Sequence, residues 1–434
     1  MNNLLDTDQL WIEFTNFPDT VELDEDKIQK AIELSDTVAN TTRKWQVYLQ
    51  ALALFSFEEW LQQREPGIAI QKQSASTFQP QYANVIDAVC HLQVGEFQVC
   101  LIPTLFFSDE AVTFPRAIVD LPEFADCFYI VIALSEDLGL AATQGFLRYD
   151  QLLNYKTQLQ AEMDWTYQLP LSWFNREPDQ LLLYLQCLEP AAIALPEIPA
   201  NRQATLARMQ AAIFNLLPQL NHRPLWQGLT WEQGIAVLTT PDLLHWLSQS
   251  FRENLSDHLS DLLQILTQRA INVRHWLGNL RDEVMQEMFW ELLPASSPLR
   301  RSEASPVRDL DEILAEISRI HQLEIPAIAV RAYRDITLEH RLRLFVVTCP
   351  LPETQEWMLL LILQAIPGDR PTHNITLRIS DRIEVLAEEA LQPDMMEDYI
   401  FIQVVGDNDD RFLATITSAT GSVQSLPPFE FSPD

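Results

Sequence analysis

Glycine is scarce in this chain, with ten among 434 residues. Loops that cradle phosphate depend on glycine, because only a residue without Cβ lets successive backbone N–H groups close on the anion. Neither GxxxxGK[ST] nor GxGxxG occurs, and Gly139 and Gly145 have five residues between them with no lysine following. That argues against nucleotide hydrolysis by a standard loop. Cysteine is also sparse: Cys90, Cys100, Cys127, Cys187 and Cys349 are odd in number, unpaired in any CxxC, and mostly set among apolar neighbours. This usage fits small buried hydrophobes in a reducing compartment. GxSxG, HExxH and calcium-loop spacings are missing as well.

Positive charge is the next shortage, 29 Lys and Arg against 61 Asp and Glu, a formal net charge of −32. Such a field repels phosphate backbones and anionic lipid headgroups, so direct nucleic-acid and membrane binding are not expected. It attracts basic protein surfaces, and it also keeps a protein soluble whatever it binds. Long apolar runs are absent: the densest, Trp357 to Ile366, is about half of what a bilayer span requires. The opening Met1-Asn2-Asn3-Leu4-Leu5-Asp6 has neither a basic nor an apolar signal region, and a cytoplasmic location is expected.

What is present is ordinary globular material, 47% hydrophobic, over a length that calls for two to three domains. The acid is concentrated at the ends, with ten acidic residues against Lys27 and Lys30 in 1–40 and eleven against Arg382 and Arg411 in 382–434. Segment 299–345 is instead neutral, eight Arg against eight acids, and brings Arg331, Arg334, Arg341 and Arg343 close together in sequence.

Hydrophobic spacing predicts helices over Asp24 to Val38 and Thr42 to Arg64, the second apolar nearly all round and therefore buried, ended by Pro66-Gly67. From residue 85 the period becomes that of strands: Val85 to Cys90, Phe97 to Leu105, Ala117 to Leu121, Phe128 to Leu134 and Gly145 to Tyr149. These define an expected α+β domain over 1–190. Pro190 to Pro199 reads as a linker, and 200–293 as a helical region whose stripe from Leu255 to Met288 suggests one long helix with a break near Gly278. A second linker, Pro294 to Pro306, leads to a helix at Asp309 to His321. Seven short runs follow, Ala327 to Tyr333, Arg341 to Thr348, Trp357 to Ile366, Ile375 to Ile379, Glu384 to Ala387, Tyr399 to Val405 and Phe412 to Thr417. They predict an antiparallel β-sandwich within 307–434. The expected fold is α+β multi-domain.

Candidate chemistry is thin. Cys90 and His91 are adjacent, but neighbours on a strand face opposite sides, which suits a core cysteine beside an edge histidine. His245, His258 and His275 lack the spacing that brings two ligands together on one helix. Asp407-Asn408-Asp409-Asp410 lacks the glycine and distal glutamate of a calcium loop and reads as a hairpin turn. The arginines 331, 334, 341 and 343 form the candidate interaction cluster, offering guanidinium forks to an anion or acidic peptide, unless Glu324, Asp335 and Glu339 pair with them.

The runs Lys44 to Ala53 with Phe57 and Glu59-Trp60-Leu61, Ile271 to Leu277, and Tyr399 to Gln403 with Asp410-Arg411-Phe412 and Phe429 resemble a cyanobacterial domain-of-unknown-function family, number 1822. The resemblance covers nearly the whole chain. It supplies no catalytic residues, and the frequent placement of family members beside alternative sigma factors and caspase-like regulatory proteins implies signalling or transcriptional regulation. The expected function is a non-enzymatic regulatory or adaptor protein that needs no cofactor and binds a basic protein partner. A sigma-factor-binding regulator and an enzyme with an inter-domain site are the alternatives.

Overall fold

A computed structural model describes residues 20–432 apart from 106–109, 221–222, 252–255, 279–282, 294–305, 324, 352–353, 367, 370, 394 and 396–397. The chain divides into two compact units, Met1–Leu255 and Ser256–Asp434.

In the first unit, α1 (Glu25–Asp36) leads into α2 (Lys44–Arg64), which is apolar around its circumference and buries twelve of its 21 residues. It packs across a six-stranded sheet ordered β1 (Val21–Glu22), β7 (Leu140–Arg148), β6 (Phe128–Ser135), β4 (Phe97–Thr104), β3 (Val89–Val94) and β2 (Ile70–Gln71). Only β4 and β6 pair in parallel, Val99 opposite Phe128, so the chain must cross over between them. That crossover carries β5 (Ala111–Pro115), which pairs with β8 (Thr166–Pro170) in a separate ribbon. The strand expected at Ala117 to Leu121 is instead a short helix, α4 (Arg116–Asp120), closed by Leu121 N–H on the Ala117 carbonyl at 3.0 Å. A continuous apolar run has no period that separates strand from helix, and Pro115 and Pro122 confine it to little more than a turn. Between α2 and β3 lies α3 (Pro80–Ala83). After β7 come α5 (Tyr149–Tyr155), α6 (Pro178–Cys187), α7 (Arg202–Leu216), α8 (Trp231–Leu238) and α9 (Pro241–Ser250).

In the second unit, the long helix expected through Leu255 to Met288 is interrupted. Helix α10 (Ser256–Thr267) stops, Ile271–Asn272 becomes β9, and α11 (Arg274–Leu277) and α12 (Glu283–Glu287) follow. Tertiary pairing overrides the helical stripe: β9 lies parallel to β19 (Phe429–Glu430), with Ile271 N–H on the Pro428 carbonyl at 2.7 Å and Val273 N–H on that of Glu430 at 2.9 Å. After β10 (Glu291–Leu293) and α13 (Pro306–His321), all seven expected runs are strands: β11 (Val330–Thr337), β12 (Arg341–Leu351), β13 (Glu356–Ala365), β14 (Ile375–Ser380), β15 (Val385–Leu391), β16 (Tyr399–Gly406) and β17 (Arg411–Ser418). A short β18 (Val423–Ser425) pairs with β17.

One sheet runs β10-β11-β12-β13-β16 and the other β15-β14-β17-β19-β9. Alternate residues of β13 enter different cores. Trp357, Leu359, Leu361 and Leu363 join Leu377, Ile379, Ala414 and Ile416 of the other sheet, while Met358, Leu360 and Ile362 pack with Leu310, Ile313, Leu314 and Ile317 of α13. The apolar run of β13 is therefore a strand buried on both faces. Among the described residues no helix is long and apolar enough to cross a membrane. Asp407 to Asp410 does turn the chain, from β16 to β17, but those strands lie in different sheets, so the turn is not a hairpin.

Candidate functional site

A cavity of about 480 Å³ opens in the first unit. Its floor is built by two buried asparagines. Asn40 precedes the turn into α2, and its Oδ1 accepts from Thr42 N–H at 3.1 Å and Thr42 Oγ1 at 2.8 Å, the usual reason for asparagine before a helix. Asn84 Oδ1 accepts from Asn40 N–H at 3.3 Å, and Asn84 Nδ2 donates to Ser248 Oγ of α9 at 3.1 Å. These bonds fix α2, α3 and α9 around the opening. Arg43, largely buried, sets Nη2 2.6 Å from Asp87 Oδ1, yet the pair is not aligned as a hydrogen bond, and Nε has no hydrogen-bond partner.

The wall is aromatic. Thr230 and Gln233 form a capping box, Gln233 Oε1 accepting from Thr230 N–H at 2.9 Å, which places Trp231 at the first position of α8. Trp165 meets it edge to face, ring centroids 5.2 Å apart, and the Arg116 guanidinium lies 4.2 Å from the Trp231 ring centre. Trp165 has φ of +61°, uncommon for a bulky residue, and its carbonyl accepts from Arg116 N–H at 2.7 Å. Trp226 is partly exposed on the rim.

Charged lining groups balance, Arg43 and Arg223 against Asp87 and Asp164, within a chain of net charge −32. The described lining contains no His, Cys, Ser or Lys. What it offers is stacking surface, amides and a guanidinium, the groups that hold a peptide segment or a planar ligand. None of Arg43, Asp87, Trp165 or Trp231 stood out in the sequence. The one local signal was Gly234 inside a predicted helix, where a Cβ would fall 2.2 Å from the Trp165 ring.

The four arginines of the neutral segment are placed on two faces of one sheet. Arg331, Arg341 and Arg343 share the α13 side; Arg334 alternates to the other, opposite Leu344. Arg331 Nη1 is 2.5 Å from Asp311 Oδ1 of α13. Arg343 makes a two-pronged pair with Asp335 at 2.7 and 2.9 Å and lies over the Tyr333 ring at 5.0 Å. Arg341 Nε is 3.6 Å from Asp369 Oδ2. Half-buried Arg334 keeps Nη1 out of solvent without a hydrogen-bond partner, and this burial lowers its pKa. Of the three carboxylates expected to neutralise the group, Asp335 does so; Glu339 accepts from Thr420 and Ser422, and Glu324 lies outside the described residues. The histidines have local contacts: His245 Nε2 is 2.9 Å from Gln249 Nε2, and His258 Nε2 is 3.1 Å from the Asp381 carbonyl.

These features define a two-unit α+β protein with a recessed, aromatic-walled cavity. The chain belongs to the family described as "Protein of unknown function (DUF1822)", whose profile matches residues 21–423. No curated protein matches the chain.

Proposed function

We propose that this protein is a non-catalytic regulatory adaptor whose first unit takes an extended segment of a protein partner into the tryptophan-walled cavity. The observation that carries this reading is the wall itself: Trp165, Trp226 and Trp231 face a neutral, amide-rich floor, and clustered Trp and Arg dominate binding energy at protein interfaces. The acidic surround supports a basic partner, attracted at long range and then held by the cavity. We also read the second unit as a β-sandwich, because both of its sheets feed one core, and we place the protein in the cytoplasm, in keeping with its five free cysteines.

Affinity capture with the tagged full chain at low salt tests the adaptor reading. A stoichiometric partner is expected, with recovery reduced roughly tenfold or more by Trp226→Ala, in line with the loss of an interface hot spot. Absence of any stoichiometric partner counts against the adaptor; equal recovery by the variant counts against the cavity as its docking site.

A further inference from the structure

Independently of that reading, the geometry points to a buried metal site formed by Cys90, Cys100 and Asp126, suited to a thiolate-binding divalent cation such as zinc. Strand β3 bulges between Val89 and Leu92, so that Cys90 and His91 together stand opposite Cys100 of β4. The bulge turns both sulfurs to one side, and His91 carries the strain with φ of +58°. Asp126 lies just before β6 and is fully buried; its Oδ2 accepts from His91 N–H at 3.0 Å. The donor atoms of Cys90, Cys100 and Asp126 all lie within 4.8 Å of one another.

One observation is compatible with a cation, and a second favours a cation over an inert core. First, the sulfurs are 3.7 Å apart. A tetrahedral ion with metal–sulfur bonds of about 2.3 Å holds its two sulfurs about 3.8 Å apart, so the pair already has the required spacing. A disulfide, at about 2.04 Å, would require the sulfurs to close by about 1.7 Å. Second, Asp126 Oδ1 is buried without a hydrogen-bond partner, and a buried carboxylate oxygen is costly unless a cation or donor compensates it. His91 Nδ1 is 3.3 Å from that oxygen, within ion-pair range but not aligned as a hydrogen bond. His91 also reaches the surface and so links the buried ligands to solvent.

Loading exchanges protons for metal, M²⁺ + 2 RSH → M(SR)₂ + 2 H⁺, and by mass action is favoured as pH rises. The bound ion, two thiolates and the carboxylate carry one net negative charge, and His91 Nδ1 lies 3.3 Å from the carboxylate.

The test uses the full chain, expressed in medium containing Co²⁺ so that metal enters during folding, and purified without chelator. About one equivalent of zinc plus cobalt per chain is expected, with the near-ultraviolet thiolate-to-cobalt band and the strong red absorption of tetrahedral Co²⁺. Cys90→Ser and Cys100→Ser should each reduce metal content at least tenfold, while Cys127→Ser should retain it. Wild-type protein without metal, or with bound cobalt but no thiolate band, overturns the assignment whether or not the variants fold. So does a mass two hydrogens lower under non-reducing conditions together with a peptide map that joins Cys90 to Cys100.

Discussion

Gly234 lies inside α8, where glycine costs about 1 kcal/mol relative to alanine, so on helix propensity alone Gly234→Ala would stabilise. Space reverses the sign. The new Cβ would stand 2.2, 2.6 and 2.9 Å from three atoms of the Trp165 ring. That ring is not free to swing, since it abuts Trp231 and its backbone is tied to Arg116. Overpacking of this kind costs about 1–3 kcal/mol and should outweigh the propensity gain, leaving Gly234→Ala less stable by about 1 kcal/mol. The added cost should shrink in a Trp165→Ala background, a coupling that urea unfolding of the double-mutant cycle would measure. A Gly234→Ala protein more stable than the parent would mean that Trp165 does not fill this space. At the same scale, the four arginines show why closeness in sequence does not put side chains on one face: strand alternation separates Arg334 from Arg331, and helix α13 supplies the acid that pairs with Arg331.

Between elements, α10 is tied to β14 by a buried charge. Asp261, 1% exposed, accepts from Arg378 Nη2 at 3.0 Å and Ser380 Oγ at 2.6 Å. Asp261→Ala would strand the guanidinium; breaking buried pairs costs about 3–5 kcal/mol, and the low end is expected because Arg378 remains 21% exposed. Ser380→Ala, which removes one neutral donor, should cost only about 1 kcal/mol. Chemical denaturation of the two variants would compare them, and equal small losses would show that this link does not secure α10. Helix α2 and the seven strands β11 to β17 were readable because their apolar patterns are their own. By contrast, β9 exists only because β19 pairs with it, and no window around Ile271 contains Phe429. The cavity was hidden for the same reason, its floor and wall coming from residues 40–87, 115–117 and 164–251.

Across the molecule, the acid excess belongs to both units, 32 Asp and Glu against 14 Lys and Arg in 1–255, and 29 against 15 in 256–434. A field spread this widely acts before contact, whereas the tryptophan wall acts after it, so the two contributions should separate kinetically. Surface charge beyond a Debye length of about 8 Å is screened at physiological salt, and steering therefore governs the association rate. For a basic partner, raising salt from about 0.05 to 0.5 M should slow association roughly tenfold or more while changing dissociation little. Trp226→Ala should do the reverse, speeding dissociation with the salt slope unchanged, because it removes a contact and no charge. Biosensor kinetics on the captured partner would resolve both effects. An association rate indifferent to salt would mean that the acidity serves solubility rather than recognition.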